Sequence, residues 1–185
     1  LCLELYINCD MGHPIMPKAS SITSDPFFIN ANVTETAADT YTQVQISAPL
    51  DSLNQEGLLV HAVYFSGSEP DRVPNAESSV FYQLTSTSKP ARVFVNDANL
   101  IAGQQKIISG GAAEFSGPHL IDLLGSNDPY TSEDNLMIVA TDDLFLAVQG
   151  FGQGSARSAQ VRIVASRIKL TASAYAALVT NELSS

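Results

Sequence analysis

The segment Asp142–Val164 holds the residue pattern with the clearest chemical potential. Its sequence, DDLFLAVQGFGQGSARSAQVRIV, places Gly150, Gly152 and Gly154 at alternate positions directly after an apolar run. A glycine-rich turn binds phosphate when a helix follows it, because the helix N-terminus supplies unpaired backbone N–H groups. Here the spacing is G-x-G-x-G, and the residues that follow alternate as they do in a strand. The pattern therefore predicts a glycine hairpin between two strands and disfavours a nucleotide site.

A group of acidic residues is the second candidate for chemistry. Its members are Asp128, Glu133, Asp134, Asp142 and Asp143. Oxygen-rich clusters of this kind bind calcium, but the spacing and the glycine of an EF-hand are missing. We expect solvated loops and no cofactor, with a calcium site as the alternative.

Nothing in the chain matches a known catalytic motif. The nucleophile pattern G-x-S-x-G is missing, and Ser116 and His119 are close in sequence without a reason to face one another. His61 lies within an apolar run, which is typical of a structural histidine in a core or an interface. Two cysteines, Cys2 and Cys9, are too few for a structural zinc site. We therefore predict that the protein is not an enzyme.

The charge and hydrophobicity of the chain indicate which partners are not expected. The formal net charge is −10, yet Asp and Glu number only 19, so the acidity comes from the scarcity of Lys and Arg, which number 9. Direct nucleic-acid binding is not expected, because phosphate neutralisation needs a positive stripe. No apolar run reaches the length of a transmembrane segment.

Alternation of apolar and polar residues predicts an all-β chain. Ile29, Ala31 and Val33 mark one strand, and Thr42, Val44, Ile46 and Ala48 mark the next. Further predicted strands are Gly57–Gly67, Val80–Thr87, Ala91–Asn96, two within Asn135–Gly152, and Gln160–Leu170 with Val161, Ile163 and Ala165 inward and a bulge before Ile168. About eight short antiparallel strands without a long helix between them predict a single jelly roll or β-sandwich.

One helix is predicted, at the C-terminal end. Thr171 is its N-cap candidate, and Tyr175, Leu178 and Val179 share one side with Glu182. This helix either closes its own sandwich or docks on a neighbouring copy. The predicted organisation is an N-terminal extension at residues 1–21, either an exchanged strand or a tail, then a β-sandwich at 22–170 and the helix with its tail at 171–185.

The plan from Ile22 to Leu183 resembles the small single jelly-roll capsid proteins of icosahedral viruses, including tailless viruses of archaea and bacteria. The resemblance rests on short strands, Pro/Gly/Asn-rich loops and few charges. It rests also on the closing segment DNLMIVATDDLFLAVQGFGQGSARSAQVRIVASRIKLTASAYAALVTNEL. It implies a coat subunit of the virion that self-assembles with copies of itself, with other coat proteins as further candidate partners. The missing basic arm departs from capsid proteins that wrap a genome directly.

Three other functions stay open beside the capsid interpretation. One is a non-viral extracellular filament or surface-layer subunit. Another is a lectin-like module for carbohydrate or calcium, which needs exposed aromatic side chains on one face. The third is an enzyme on a β-sandwich, which needs a cleft that brings His61 or His119 together with carboxylates. For assembly, the candidate interface residues are Leu3, Leu5, Ile7, Phe151, Tyr175, Leu178, Val179 and Leu183.

Overall fold

A computed structural model of the chain describes residues 20–110, 119–124 and 136–184, which form two antiparallel β-sheets packed face to face and one α-helix. In chain order the elements are β1 (Ser20–Ile22), β2 (Phe27–Thr34), β3 (Thr42–Ser47), a 3-10 turn (Ser52–Asn54), β4 (Glu56–Gly67), β5 (Glu77–Thr85), β6 (Leu100–Ser109), β7 (His119–Leu124), β8 (Met137–Val139), β9 (Asp143–Phe151), β10 (Ser158–Leu170) and α1 (Ala172–Ser184). The predicted fold class is confirmed. Of the predicted extension at residues 1–21, the structure describes Ser20 and Ser21, which belong to β1; the rest lies outside the described residues.

The strand order is that of a jelly roll. In the first sheet, named here the β10 sheet, β1 and β2 lie end to end along one edge of β10, and β4 and β8 follow on the other side. In the second, the β9 sheet, the order is β3-β9-β5-β6-β7. The pairs β5–β6, β4–β8, β3–β9 and β2–β10 are therefore nested like a long hairpin, and successive pairs alternate between the two sheets.

The core lies between the sheets and follows the alternation of the sequence. Ile46, Leu146 and Ile163 are among its buried residues, and Ile29 and Val44 pack against it from the edge strands. Each such side chain contributes about 1.5–3 kcal/mol when it is fully buried. The hydrophobic sandwich therefore supplies the frame on which the loops and the helix are placed.

The predicted bulge exists, but the extra residue belongs to β4. Val164 pairs with Ala62 and Ala165 pairs with Val60, so His61 is the additional residue. Alternation along β10 continues unbroken, which keeps Ile163 in the core and turns Ile168 outward. Ile168 is apolar because α1 covers that part of the outer face, and no change of register in β10 is needed.

The predicted strand Ala91–Asn96 is wrong. Both edges of β5 are already paired, one with β6 and the other with β9, so no edge of β5 is left for this segment. The segment instead crosses the outer face of the β9 sheet, where the Val93 N–H donates to Gln83 Oε1 (2.9 Å). Arg92 lies over the ring of Phe81, 5.6 Å from its centroid. The strand that pairs with β5 is β6, in a region where the sequence favours neither a helix nor a strand.

Helix α1 begins at the predicted N-cap and packs on its own sandwich, which is the first of its two predicted alternatives. Thr171 Oγ1 accepts a hydrogen bond from the Ala174 N–H (3.3 Å), which confirms the N-cap. Tyr175 and Leu178 pack on the outer face of the β10 sheet, in a cluster with Leu59 and Ile168. Within one chain, therefore, the helix closes its own sandwich.

Candidate assembly surfaces

The connection between β9 and β10 carries the glycines on which a phosphate site would depend. It is not a hairpin as predicted, because β9 lies in the β9 sheet and β10 in the β10 sheet, and the two strands do not pair. Gly152 provides the turn with a φ of +69°, a left-handed conformation that side chains disfavour. Gly150 provides a close approach, since a Cβ there would lie 2.6 Å from Gln153 Cγ. The glycines thus carry the chain from one sheet to the other.

Three carboxylates hold this connection by its backbone, and we name them the carboxylate clamp: Glu35, Asp39 and Asp71. Glu35 accepts from the N–H groups of Gly150 (2.6 Å) and Arg157 (2.7 Å). Asp39 accepts from Gly152 (3.2 Å) and Gln153 (3.0 Å). Asp71 accepts from Gly154 (2.8 Å) and forms an ion pair with Arg157.

The carboxylate clamp makes the glycine loop unsuitable for binding phosphate. N–H groups that a phosphate would need already donate to the chain's own carboxylates, so a phosphate would meet negative charge in their place. The loop is therefore a structural connection, and its tip residue Phe151 is held outward with 64% of its surface exposed. As an assembly contact, Phe151 stays a prediction.

The stabilisation that Asp71 contributes to the carboxylate clamp depends on pH. The Gly154 N–H and the Arg157 guanidinium lower the pKa of this carboxyl. A lowered pKa in the folded state stabilises the fold above the pKa of the unfolded chain, and this stabilisation is lost as the pH falls through the folded value. We expect Asp71→Asn to lower the free energy of unfolding at pH 7 by no more than about 1 kcal/mol, because the carboxylate is partly exposed. Denaturant titrations at pH 7 and near pH 2 check this: a difference that did not shrink at the lower pH would contradict it.

The two edge strands on one side of the sandwich are the surface most suited to association. We call this the β2–β3 side, because β2 borders the β10 sheet, β3 borders the β9 sheet, and the two strands contact each other. The sequences FFINANVT and TQVQIS contain no charged residue and no proline. Among the described residues, β2 pairs only with β10, so its outer edge offers backbone groups to another strand.

The opposite side of the β10 sheet ends in a strand that is poorly suited to pairing. There β8 has only three residues. A short edge strand discourages pairing with another chain, whereas a long uncharged edge favours it. Among the described residues, the two edges of the β10 sheet therefore differ, and the β2 edge is the longer and uncharged one.

The remaining interface candidates are spread over the molecule. Tyr175 and Leu178 are half-buried against their own sheet, and Val179 is also half-buried. Leu183 is 71% exposed at the end of α1. Each stays a prediction as an assembly contact, while Leu3, Leu5 and Ile7 lie outside the described residues.

The structure describes only some of the candidate metal and catalytic residues. Asp142 is exposed and Asp143 begins β9; across the described ranges, no group of three or more metal-ligating side chains is found. The other calcium candidates, Asp128, Glu133 and Asp134, lie outside those ranges, as does Ser116. His61 is half-buried, and its Nε2 lies 2.8 Å from Ser166 Oγ, which fits the predicted structural histidine.

Sequence reasoning missed the clamp and the open edge. Glu35, Asp39 and Asp71 stand in loops far from Gly150 along the chain, and solvated loop acids have the same local pattern. The open edge of β2 and β3 could have been recognised in the sequence, because a long alternating strand without charged residues is unusual at the border of a sheet. What the sequence does not show is which strands become borders.

A membrane-spanning helix is not found in the part of the chain that the structure describes. Comparison with protein-family models and with curated proteins gives no match for this chain.

Proposed function

We propose that the protein is a structural subunit that self-assembles, and specifically a coat protein of a virion. The observation that carries the proposal is the β2–β3 side, where two uncharged strand edges lie next to each other on a jelly roll. In an assembly, the unpaired backbone groups of such edges form hydrogen bonds with a strand of another chain. In a closed symmetric particle, every copy has its edges paired in this way. The proposed partners are copies of the same chain, with other coat proteins as additional candidates.

The charge of the chain supports a shell that does not hold nucleic acid itself. Acidic residues number 19 and basic residues 9, so the subunit as a whole would repel a phosphate backbone. In this proposal another component contacts the genome. A subunit of an extracellular filament or surface layer would use the same edges in an open helical arrangement.

We expect lysines at both open edges to prevent assembly without unfolding the subunit. Asn32 and Gln45 are exposed residues in the middle of β2 and β3, away from the core. In a symmetric edge contact the introduced charges meet their own copies, which is unfavourable. The double variant Asn32→Lys/Gln45→Lys should raise the concentration needed for assembly by at least about tenfold, or 1.4 kcal/mol per contact.

Size-exclusion chromatography with light scattering, followed by electron microscopy, measures this effect. The matched control is Ala91→Lys/Asn96→Lys, which adds the same charge at exposed positions of the segment between β5 and β6, where no interface residue is predicted. A wild-type protein that stays monomeric at high concentration, or a control that disassembles as much as the edge variant, would contradict the proposal. Closed particles support the coat protein, and open tubes or fibres support the filament subunit instead.

A further inference from the structure

The outer face of the β10 sheet is divided into two halves of different chemistry. Helix α1 covers the half that contains Leu59, Ile168 and Leu170. The other half, formed by β2, β10 and β4, is a shallow depression of about 750 Å³. We name it the aromatic–amide depression after six of the outer-face side chains that line it: Phe28, Asn30, Asn32, Tyr64, Gln160 and Arg162.

The aromatic–amide depression has the composition of a binding surface. Phe28 is 65% exposed, which is unusual for a large apolar ring on the surface of a sheet. Its neighbours Asn30, Asn32 and Gln160 offer amide donors and acceptors without charge. Exposed rings beside amides fit a ligand that has both apolar C–H faces and hydroxyl groups, and carbohydrate has this combination.

Arg162 adds a positive charge whose position is fixed. Its Nε donates to Asn30 Oδ1 (3.1 Å), and its guanidinium carbon lies 5.6 Å from the centroid of the Phe28 ring. Among the described residues that line the depression, Arg162 is the only charged one. A guanidinium held in this way can bind a carboxylate through two parallel hydrogen bonds.

The charge of the whole protein limits how acidic the ligand can be. The chain has a formal net charge of −10, so a polyanion is repelled at long range. A single carboxylate can still pair with Arg162 at short range. We propose that the aromatic–amide depression binds a carbohydrate that carries one carboxylate, either a sialic acid or a uronic acid at the end of a glycan.

Two matched pairs of sugars test the proposal and separate the two sources. The probes are 3′-sialyllactose against lactose, and glucuronosyl-xylotriose against xylotriose, each titrated into the full chain by calorimetry or ligand-observed NMR. The carboxylated member of at least one pair should bind about tenfold or more tightly than its neutral partner. Which pair shows the difference identifies the source of the glycan.

Variants then locate the site. Arg162→Met keeps an aliphatic stem over Phe28 and removes the charge, so the preference for the carboxylated sugar should disappear. Phe28→Ala should weaken binding of both members of the pair. The control Arg72→Met removes one exposed arginine elsewhere and should leave binding unchanged. The proposal is overturned if wild type binds none of the four sugars, if it binds neutral and acidic members equally, or if Arg162→Met retains the preference.

Discussion

Replacing Glu182 by alanine is expected to lower the free energy of unfolding by about 3 kcal/mol. Glu182 belongs to α1, yet only 1% of its surface is exposed. Its carboxylate accepts hydrogen bonds from the backbone N–H groups of Ala140 (2.8 Å) and Thr141 (3.1 Å), just before β9. Alanine leaves the buried Ala140 donor and the half-buried Thr141 donor without their acceptor, and the loss of a charge-assisted bond is larger than that of a neutral one.

A second contact at the same position limits the effect of the substitution. Asn99 is fully buried, and its amide donates to the main-chain oxygen of Glu182 (3.1 Å). This bond survives the substitution, so the main chain at the end of the helix keeps one attachment to the sandwich. Glu182→Gln retains one acceptor oxygen and should lose less stability than alanine.

Chemical denaturation measures the Glu182 effect, and Leu183→Ala is the matched control. Leu183 is the next residue in the same helix and is largely exposed, so its truncation should change stability by less than about 0.5 kcal/mol. Equal stability of Glu182→Ala and Leu183→Ala would show that the buried carboxylate does not hold the helix.

Replacing Glu35 by alanine is expected to have a comparable effect of about 3 kcal/mol. Glu35 is 4% exposed and bridges both ends of the β9–β10 connection through the Gly150 and Arg157 N–H groups. Its own N–H donates to the Arg157 main-chain oxygen (2.8 Å), so the side chain and the backbone hold the same partner. Without the carboxylate, two buried amides lose their acceptor at the point where the chain passes between sheets.

Hydrogen exchange separates loss of the clamp from general destabilisation. The amides of Gly150 and Arg157 should exchange faster in Glu35→Ala, while amides in β5 retain protection until global unfolding. Thr36→Ala, at an exposed neighbouring position, is the control and should leave both amides protected. Unchanged exchange at Gly150 and Arg157 would contradict a role for Glu35 in the clamp.

The fold was predictable from the sequence where the information is local. Ile29, Ala31 and Val33 alternate because one face of their strand is buried, and Thr171 precedes the helix because its hydroxyl can cap it. The mistaken strand at Ala91–Asn96 shows the limit. Whether such a segment pairs depends on whether β5 has a free edge, which is decided by strands far away in the chain.

The surfaces were less predictable than the fold, because they too depend on contacts between residues that are far apart in the chain. A glycine run predicts a turn, but only the tertiary structure shows that Gly150 and Gly152 join different sheets and are held by Glu35 and Asp39. Glu182 illustrates the same point. On the sequence it interrupts an apolar stripe, whereas in the structure its carboxylate accepts from the backbone N–H groups of Ala140 and Thr141.

The nested order of strands has a consequence for biosynthesis. The outermost pair joins β2, near the beginning of the described chain, to β10, near its end. While the chain is translated, β2 leaves the ribosome long before its partner and spends that time with both edges unpaired. Pairings so distant in sequence also form slowly, because loop closure comes before the contacts that compensate for it. We therefore expect nascent chains to depend on low local concentration or on a chaperone until β10 is complete and one edge of β2 is paired.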